Sequence, residues 1–254
     1  MQLQNAWLDN QALRDVDPRI LIQRIEDNVP QTDLQYGDNP GRSGQRLLMR
    51  RRVSRRISVA FAIRELRDLA ARAALVDRVN GWARDGVLQI STRPTQQIRV
   101  VCAGRAAIAN PWDYTEELKI DFDAVPSPYW EDRLPQRLAL SGSGGNGSIL
   151  NLGTADTEAA VTATPTGGKL TSFAITLGAT AFTLSGLNVA KGSALSIGYD
   201  SLGYLYIRAA GASILQCRSA SSSDDLIAAP GKSAVSFTAN TACSVVVEVR
   251  GKWL

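Results

Sequence analysis

The stretch RRISVAFAIRELRDLAARAALVDRVNGW, residues 55–82, decides the fold. It opens with period two: Ile57, Val59, Phe61 and Ile63 share one face, and Arg56, Ser58, Ala60 and Ala62 share the other. That alternation predicts a strand, which the basic run before it extends back past Arg55. The period then lengthens. Leu66, Leu69, Ala73 and Val76 recur at helical spacing and predict one long helix with a single apolar stripe. Arg64 with Asp68 and Asp68 with Arg72 form opposite-charge pairs on its wet side. Gly81 or Gly86 ends the helix, and Trp82 is placed to cover the edge of the core. Strands are expected at 87–91, 97–102 and 117–122. One helix among several strands, not alternating with them, indicates an α+β domain, a β-barrel or sheet with one long helix.

Upstream of this stretch, VPQTDLQYGDNPGRSGQ (29–45) is rich in turn residues and predicts a long exposed loop. A loop of this length without periodicity is usually functional or ordered against a partner. RRRVSRR (50–56) is the most charged feature of the chain. It admits three readings: a phosphate-binding strip, a charged oligomer face on which arginine pairs with carboxylates, or a solvated face that blunts a sheet edge. Asp27, Asp33, Asp38 and Asp68 are nearby acids for such pairing.

Downstream, LKIDFDAVPSPYWED (118–132) begins as a strand and is stopped by Pro126 and Pro128. Asp121 and Asp123 share a face, more often a solvated or salt-bridged arrangement than a catalytic one. Pro128, Tyr129 and Trp130 form a stiffened aromatic element suited to a domain joint, because large rings bury much area with few rotors to freeze.

The composition changes after this element. Through Leu140 there are 21 basic and 18 acidic residues, against 7 and 6 in the remainder. SGSGGNGS (141–148) reads as a flexible turn or linker; its formal G-x-G-x-x-G opens no helix, so it is no dinucleotide site. Beyond it, short alternating apolar runs broken every 8 to 12 residues or so predict an all-β sandwich. Two domains are therefore expected, 1–132 and 133–254.

The 254 residues contain no histidine, which excludes Ser-His-Asp and Cys-His catalysis and His-ligated metals. Three cysteines without C-x-x-C spacing argue against a disulfide framework and a zinc site. No catalytic set, cofactor site or metal site emerges. The lack of a long apolar run or signal-like N-terminus predicts a soluble chain made in a cytoplasm.

The order of these signals resembles the distal tail protein family of siphophages. PGRSGQ (40–45) is similar to the family's loop before the basic strand. Arg56 with Ile57, Val59, Phe61 and Ile63 is similar to its strand entering the helix, and Trp82 to the aromatic closing that helix. Pro128, Tyr129 and Trp130 are similar to its exit from the first domain. NLGTADTEAAVTAT, APGKSAVSF and the terminal VEVRGKWL are similar to strands of its galectin-like sandwich. The resemblance implies a structural protein, not an enzyme: a homohexameric ring in the virion tail, assembled in the host cytoplasm, joining the tail tube protein to the tail-tip or hub protein. Genomic DNA would pass through the ring without being specifically bound, and no membrane is involved. Arg50, Arg51, Arg52, Arg55 and Arg56 would then lie at the oligomer interface. The alternative is a host-surface carbohydrate-binding tail module, for which Tyr199, Asp200, Tyr204 and Tyr206 form the one suitable cluster. The histidine of the galectin sugar site is missing, so a galectin-like fold here does not imply galactoside binding.

Overall fold

The computed structural model of the chain describes residues 4–38, 45–52, 54–64, 66–110, 116–200 and 202–254; of Asp38, Arg50 and Arg51 it describes the backbone alone. The chain divides into two compact units, Met1–Trp130 with Leu254, and Glu131–Trp253.

The first unit contains β1 (Ala6–Leu8), β2 (Gln11–Ala12), α1 (Leu13–Val16), β3 (Ile20–Asp27), β4 (Thr32–Asp38), β5 (Gln45–Arg52), β6 (Arg56–Ile63), α2 (Leu69–Trp82), β7 (Gly86–Ile90), β8 (Gln96–Gly104) and β9 (Leu118–Ala124). Seven strands form an antiparallel sheet in the order β2-β1-β7-β8-β9-β6-β3. β4 and β5 stand apart as a two-stranded ribbon.

Three expectations need correction here. The basic strand does not run unbroken through Arg55: β5 ends at Arg52 and β6 begins at Arg56, in different sheets. The expected long loop is in fact mostly strand, because β4 occupies Thr32–Asp38; residues 39–44, which include most of the PGRSGQ motif, lie outside the described residues. β6 is buried on both faces after Arg56, so its alternation reflects residue size and not exposure.

The helix is α2, and it begins later than its expected stripe. Asp68 is the N-cap, its carboxylate accepting from the backbone N–H groups of Ala70 and Ala71 at 3.2 Å each. It therefore caps the helix in place of the expected side-chain pairs. The buried stripe is Arg72, Leu75, Val76, Val79 and Trp82, one step round from the expected one, leaving Leu69 and Ala73 exposed. Gly81 lies within the helix. Trp82 closes it as expected, donating its indole N–H to the Gln11 carbonyl at 3.0 Å and meeting Phe122 edge-on.

Three carboxylates anchor this unit. Asp17 accepts both the Arg19 Nε and Nη2 donors at 2.9 and 2.8 Å and the Arg78 Nη2 donor at 3.0 Å, tying α2 to the turn before β3. Asp121 and Asp123 are bonded to β6, to Ser58 at 2.5 Å and to Arg56 at 2.9 and 3.1 Å.

After the short strand β10 (Trp130–Asp132), the second unit contains β11 (Gln136–Asn151), β12 (Thr157–Pro165), β13 (Leu170–Leu177), β14 (Thr180–Val189), β15 (Leu195–Tyr199), β16 (Leu205–Ala209), β17 (Ala212–Ser213), β18 (Ile227–Ala228), β19 (Gly231–Val249) and β20 (Lys252–Trp253). Its strands run β14-β13-β19-β12-β15-β16-β17, with β11 along β19 and β18 on β12. β19 carries the sheet round a corner: Val235 to Ala239 pair with β13, and Cys243 to Val249 pair with β12. Asn240 holds the corner, accepting from the Thr171 and Ser172 N–H groups and donating to the Lys169 carbonyl. Residues from both arms of the sheet share one core, in which Phe173 stacks on Phe237.

SGSGGNGS is not a linker. It lies inside β11, the strand paired along almost the whole length of β19. Its glycines serve close packing: a Cβ on Gly145 would stand 2.9 Å from the Phe237 ring, and Gly142 takes φ +114° at the strand's bulge. The chain does not relax here; it bends.

Candidate assembly surface

The β4–β5 ribbon is an arm. Its register pairs Thr32 with Arg52, Asp33 with Arg51, Leu34 with Arg50 and Tyr36 with Leu47, with a bulge between Gln35 and Tyr36. An isolated two-stranded ribbon is at best marginally stable in water. This one also leaves apolar side chains uncovered: Tyr36 is 54% exposed, Leu48 63%, and Leu34, Leu47 and Met49 nearly half. No comparable run of exposed apolar residues occurs elsewhere among the described residues.

The arginine strip is split by this architecture. Arg50, Arg51 and Arg52 lie on the arm, with the Arg50 and Arg51 side chains outside the described residues. Arg52 is half-buried, its guanidinium 5.9 Å from the Tyr129 ring centre. Arg55 and Arg56 are used within the subunit. Arg56 holds Asp123 bidentately. Arg55 is almost fully buried, 3.3 Å from the Asp27 carboxylate. Burial pushes the Arg55 guanidinium down from its ordinary pKa, and Asp27 opposes that shift. Arg55 is therefore no open surface, whereas Arg56 remains exposed although it is paired with Asp123.

Asp27 is the residue that sequence reasoning undervalued. Counted there among acids available to other subunits, it collects partners inside its own. It accepts from Arg93 Nε at 2.9 Å and from the Trp130 indole N–H at 3.0 Å, beside the Arg55 ion pair. Arg93 also lies over the Trp130 ring, 5.4 Å from its centre. Trp130 is completely buried, Pro128 is buried and Tyr129 is half-buried. A cavity of about 490 Å³ borders this cluster, lined by Asp27, Thr92, Arg93, Pro94, Thr95 and Gln96. A single Asp at the end of a strand carries no sequence signal for such convergence.

Tyr199, Asp200, Tyr204 and Tyr206 lie together on the β15–β16 hairpin, but most of their polar groups are engaged in structural contacts. The Tyr199 hydroxyl accepts the Leu226 N–H at 2.9 Å, and burial raises its pKa. Asp200 accepts the Leu202 and Tyr204 N–H groups and so closes a turn. Tyr206 is covered by Arg208 and packs where Gly198 has no Cβ. Of the three tyrosines, Tyr204 alone is widely exposed.

The described cysteines are free, and among the described residues no group of three or more His, Cys, Asp or Glu could hold a metal ion. No helix among them is long and apolar enough to cross a membrane.

No family model matches the chain, and no curated protein matches it. The fold is similar to those of two bacteriophage proteins of known structure. The SPP1 Dit protein, described as a paradigm of the hub adsorption apparatus in phages infecting Gram-positive bacteria, matches with a TM-score of 0.76 and 12% identity over 100% of both chains. A chain of the phage p2 baseplate in its activated conformation with strontium matches with a TM-score of 0.51 and 9% identity over 98% of each. At these identities the likeness is one of fold, and it fits the distal tail protein resemblance read from the sequence.

Proposed function

We propose that this chain is a structural component of a siphophage tail, in which six copies close into a ring and join the tail tube to the tail tip or baseplate. The first unit forms the ring, and the second is a galectin-like sandwich beginning near residue 131. The arm carries this reading. It holds five exposed large apolar side chains and the basic residues Arg46, Arg50, Arg51 and Arg52, a combination suited to a protein partner. Burying the half of each apolar side chain that is still exposed is worth roughly 1 kcal/mol, a stabilisation that one chain alone does not collect. The full-length fold match to a tail hub protein supports the same reading.

The engagement of Tyr199, Asp200 and Tyr206 in structural contacts supports this reading over a carbohydrate-binding module. DNA passing through the ring is not held.

Multi-angle light scattering on the full chain at high concentration tests assembly. The parent is expected at several times the mass of its 27.3 kDa chain. Leu47→Glu with Met49→Glu is expected to leave the circular dichroism unchanged and return the mass to that of one chain. A parent that is strictly monomeric and fails to decorate tail tubes overturns the proposal.

A further inference from the structure

The arm leaves the main sheet directly after Asp27 and returns directly before Arg55. The two ends of the excursion are closed by backbone hydrogen bonds from Asn28 N–H to the Arg56 carbonyl at 3.2 Å and from Gln31 N–H to the Ser54 carbonyl at 3.1 Å. The Asp27–Arg55 ion pair lies across the same root. The second oxygen of the Asp27 carboxylate accepts from Trp130, the last residue of the first unit along the chain, and from Arg93, which stacks on Trp130. One carboxylate therefore touches both the root of the arm and the point where the chain leaves the unit. Arg52 over Tyr129 makes a second contact between the same two regions.

The burial of the parts makes this junction stiff. Arg55 and Trp130 are almost wholly buried, and the Nε and Nη1 atoms of Arg55 make no hydrogen bond, so Asp27 is the anion that compensates its charge. Moving that carboxylate to follow Trp130 strips the compensation from a desolvated guanidinium, which is costly. Room for such a move exists on one side, in the cavity bordered by Asp27 and Arg93.

We propose that Asp27 couples the arm to the exit of the first unit: a displacement at Trp130 pulls the carboxylate from Arg55 and loosens the hydrogen bonds that close the root of the arm. The coupling is reciprocal, as any equilibrium linkage between two sites must be. Fixing the arm against a partner thus restrains Trp130. This inference stands on the first unit alone and does not depend on how many copies assemble.

Hydrogen exchange on the full chain, read by mass spectrometry on fragments covering 28–31, tests it. Trp130→Phe keeps a buried ring and deletes the N–H that reaches Asp27. Exchange at the root is expected to quicken about tenfold, the factor carried by one hydrogen bond to a charged group. Exchange of the Asp9 N–H, bonded to the Val87 carbonyl, is expected to stay unchanged. If Trp130→Phe fails to fold, Arg93→Lys replaces it, since it keeps the charge while removing the Nε donor and the stacked plane. Unchanged exchange at the root overturns the proposal. So does equal acceleration of the root and Asp9 fragments, which would make Asp27 a general stabiliser and no coupler.

Discussion

The Asp17 anchor gives the most closely calculable test of the first unit. Replacing Asp17 by Asn keeps size and one acceptor oxygen but removes the charge that holds Arg19 and Arg78. The hydrogen bonds from Arg19, then its backbone N–H and the charges of both guanidinium groups, lower the Asp17 pKa from an ordinary 3.8 to about 2, against an opposing effect of burial. A carboxylate whose pKa is depressed on folding stabilises the fold fully above its unfolded value. That contribution is lost as pH falls through the folded one. The window is therefore pH 4 down to pH 2. The full shift corresponds to roughly 2 kcal/mol at 1.36 kcal/mol per pH unit. Arg19 and Arg78 are about half exposed, however, so solvent screening reduces the expected contribution to roughly 1 kcal/mol. Urea unfolding of the parent and Asp17→Asn at pH 5 and pH 2.5 measures the difference directly, because the other carboxylates titrate in both. The parent should be more stable by about 1 kcal/mol at pH 5, with the gap mostly closed at pH 2.5. Parallel curves, with a gap that pH does not alter, refute the assignment of Asp17 as the pH-dependent tie between α2 and β3.

Two further substitutions test the placements of Arg55 and Gly145. Arg55→Ala should destabilise the single chain by about 3–5 kcal/mol, the usual result of breaking a buried ion pair; urea unfolding under monomeric conditions checks this, and an unchanged midpoint contradicts it. Gly145→Ala should lower the melting temperature of the second unit, since the new Cβ meets the Phe237 ring at 2.9 Å and overpacking costs about 1–3 kcal/mol; a flexible linker at this position would tolerate the change.

The elements that form within one unit were legible where side-chain period and burial coincide. β7, β8 and β9 fall within two residues of their expected positions, and Trp82 closes α2 as its place in the sequence suggested. Legibility failed where a polar group does an unusual task. Arg72 occupies the inward face of α2, so the helical stripe reads one step out of phase if only apolar residues are counted. Asp68 has the charge for a side-chain pair but the position of an N-cap, and the cap wins because it satisfies two unpaired backbone donors. SGSGGNGS reads as a linker because glycine is common in linkers. What glycine supplies here is the missing Cβ, letting Phe237 and the side chains of Leu138 and Leu140 approach the strand.

The arm failed for a different reason, and the reason bears on function. A strand is recognised by apolar residues on the face that one chain buries. β4 and β5 have no such face, since Leu34, Tyr36, Leu47, Leu48 and Met49 all remain exposed. Their mixture of turn residues, arginines and scattered large apolar groups matches no single-chain pattern, and so reads as a loop followed by a charged strip. The same mixture is coherent if the missing half of the core belongs to another molecule. Apolar side chains then supply the buried contact, and Arg50, Arg51 and Arg52 lie on the strand that flanks it. Arg55 and Arg56, adjacent in sequence but past the root, obey the opposite rule and are neutralised within the unit by Asp27 and Asp123. On the proposed reading, the boundary between a self-contained and a partner-dependent sequence falls between Arg52 and Arg55, at the root that Asp27 fastens.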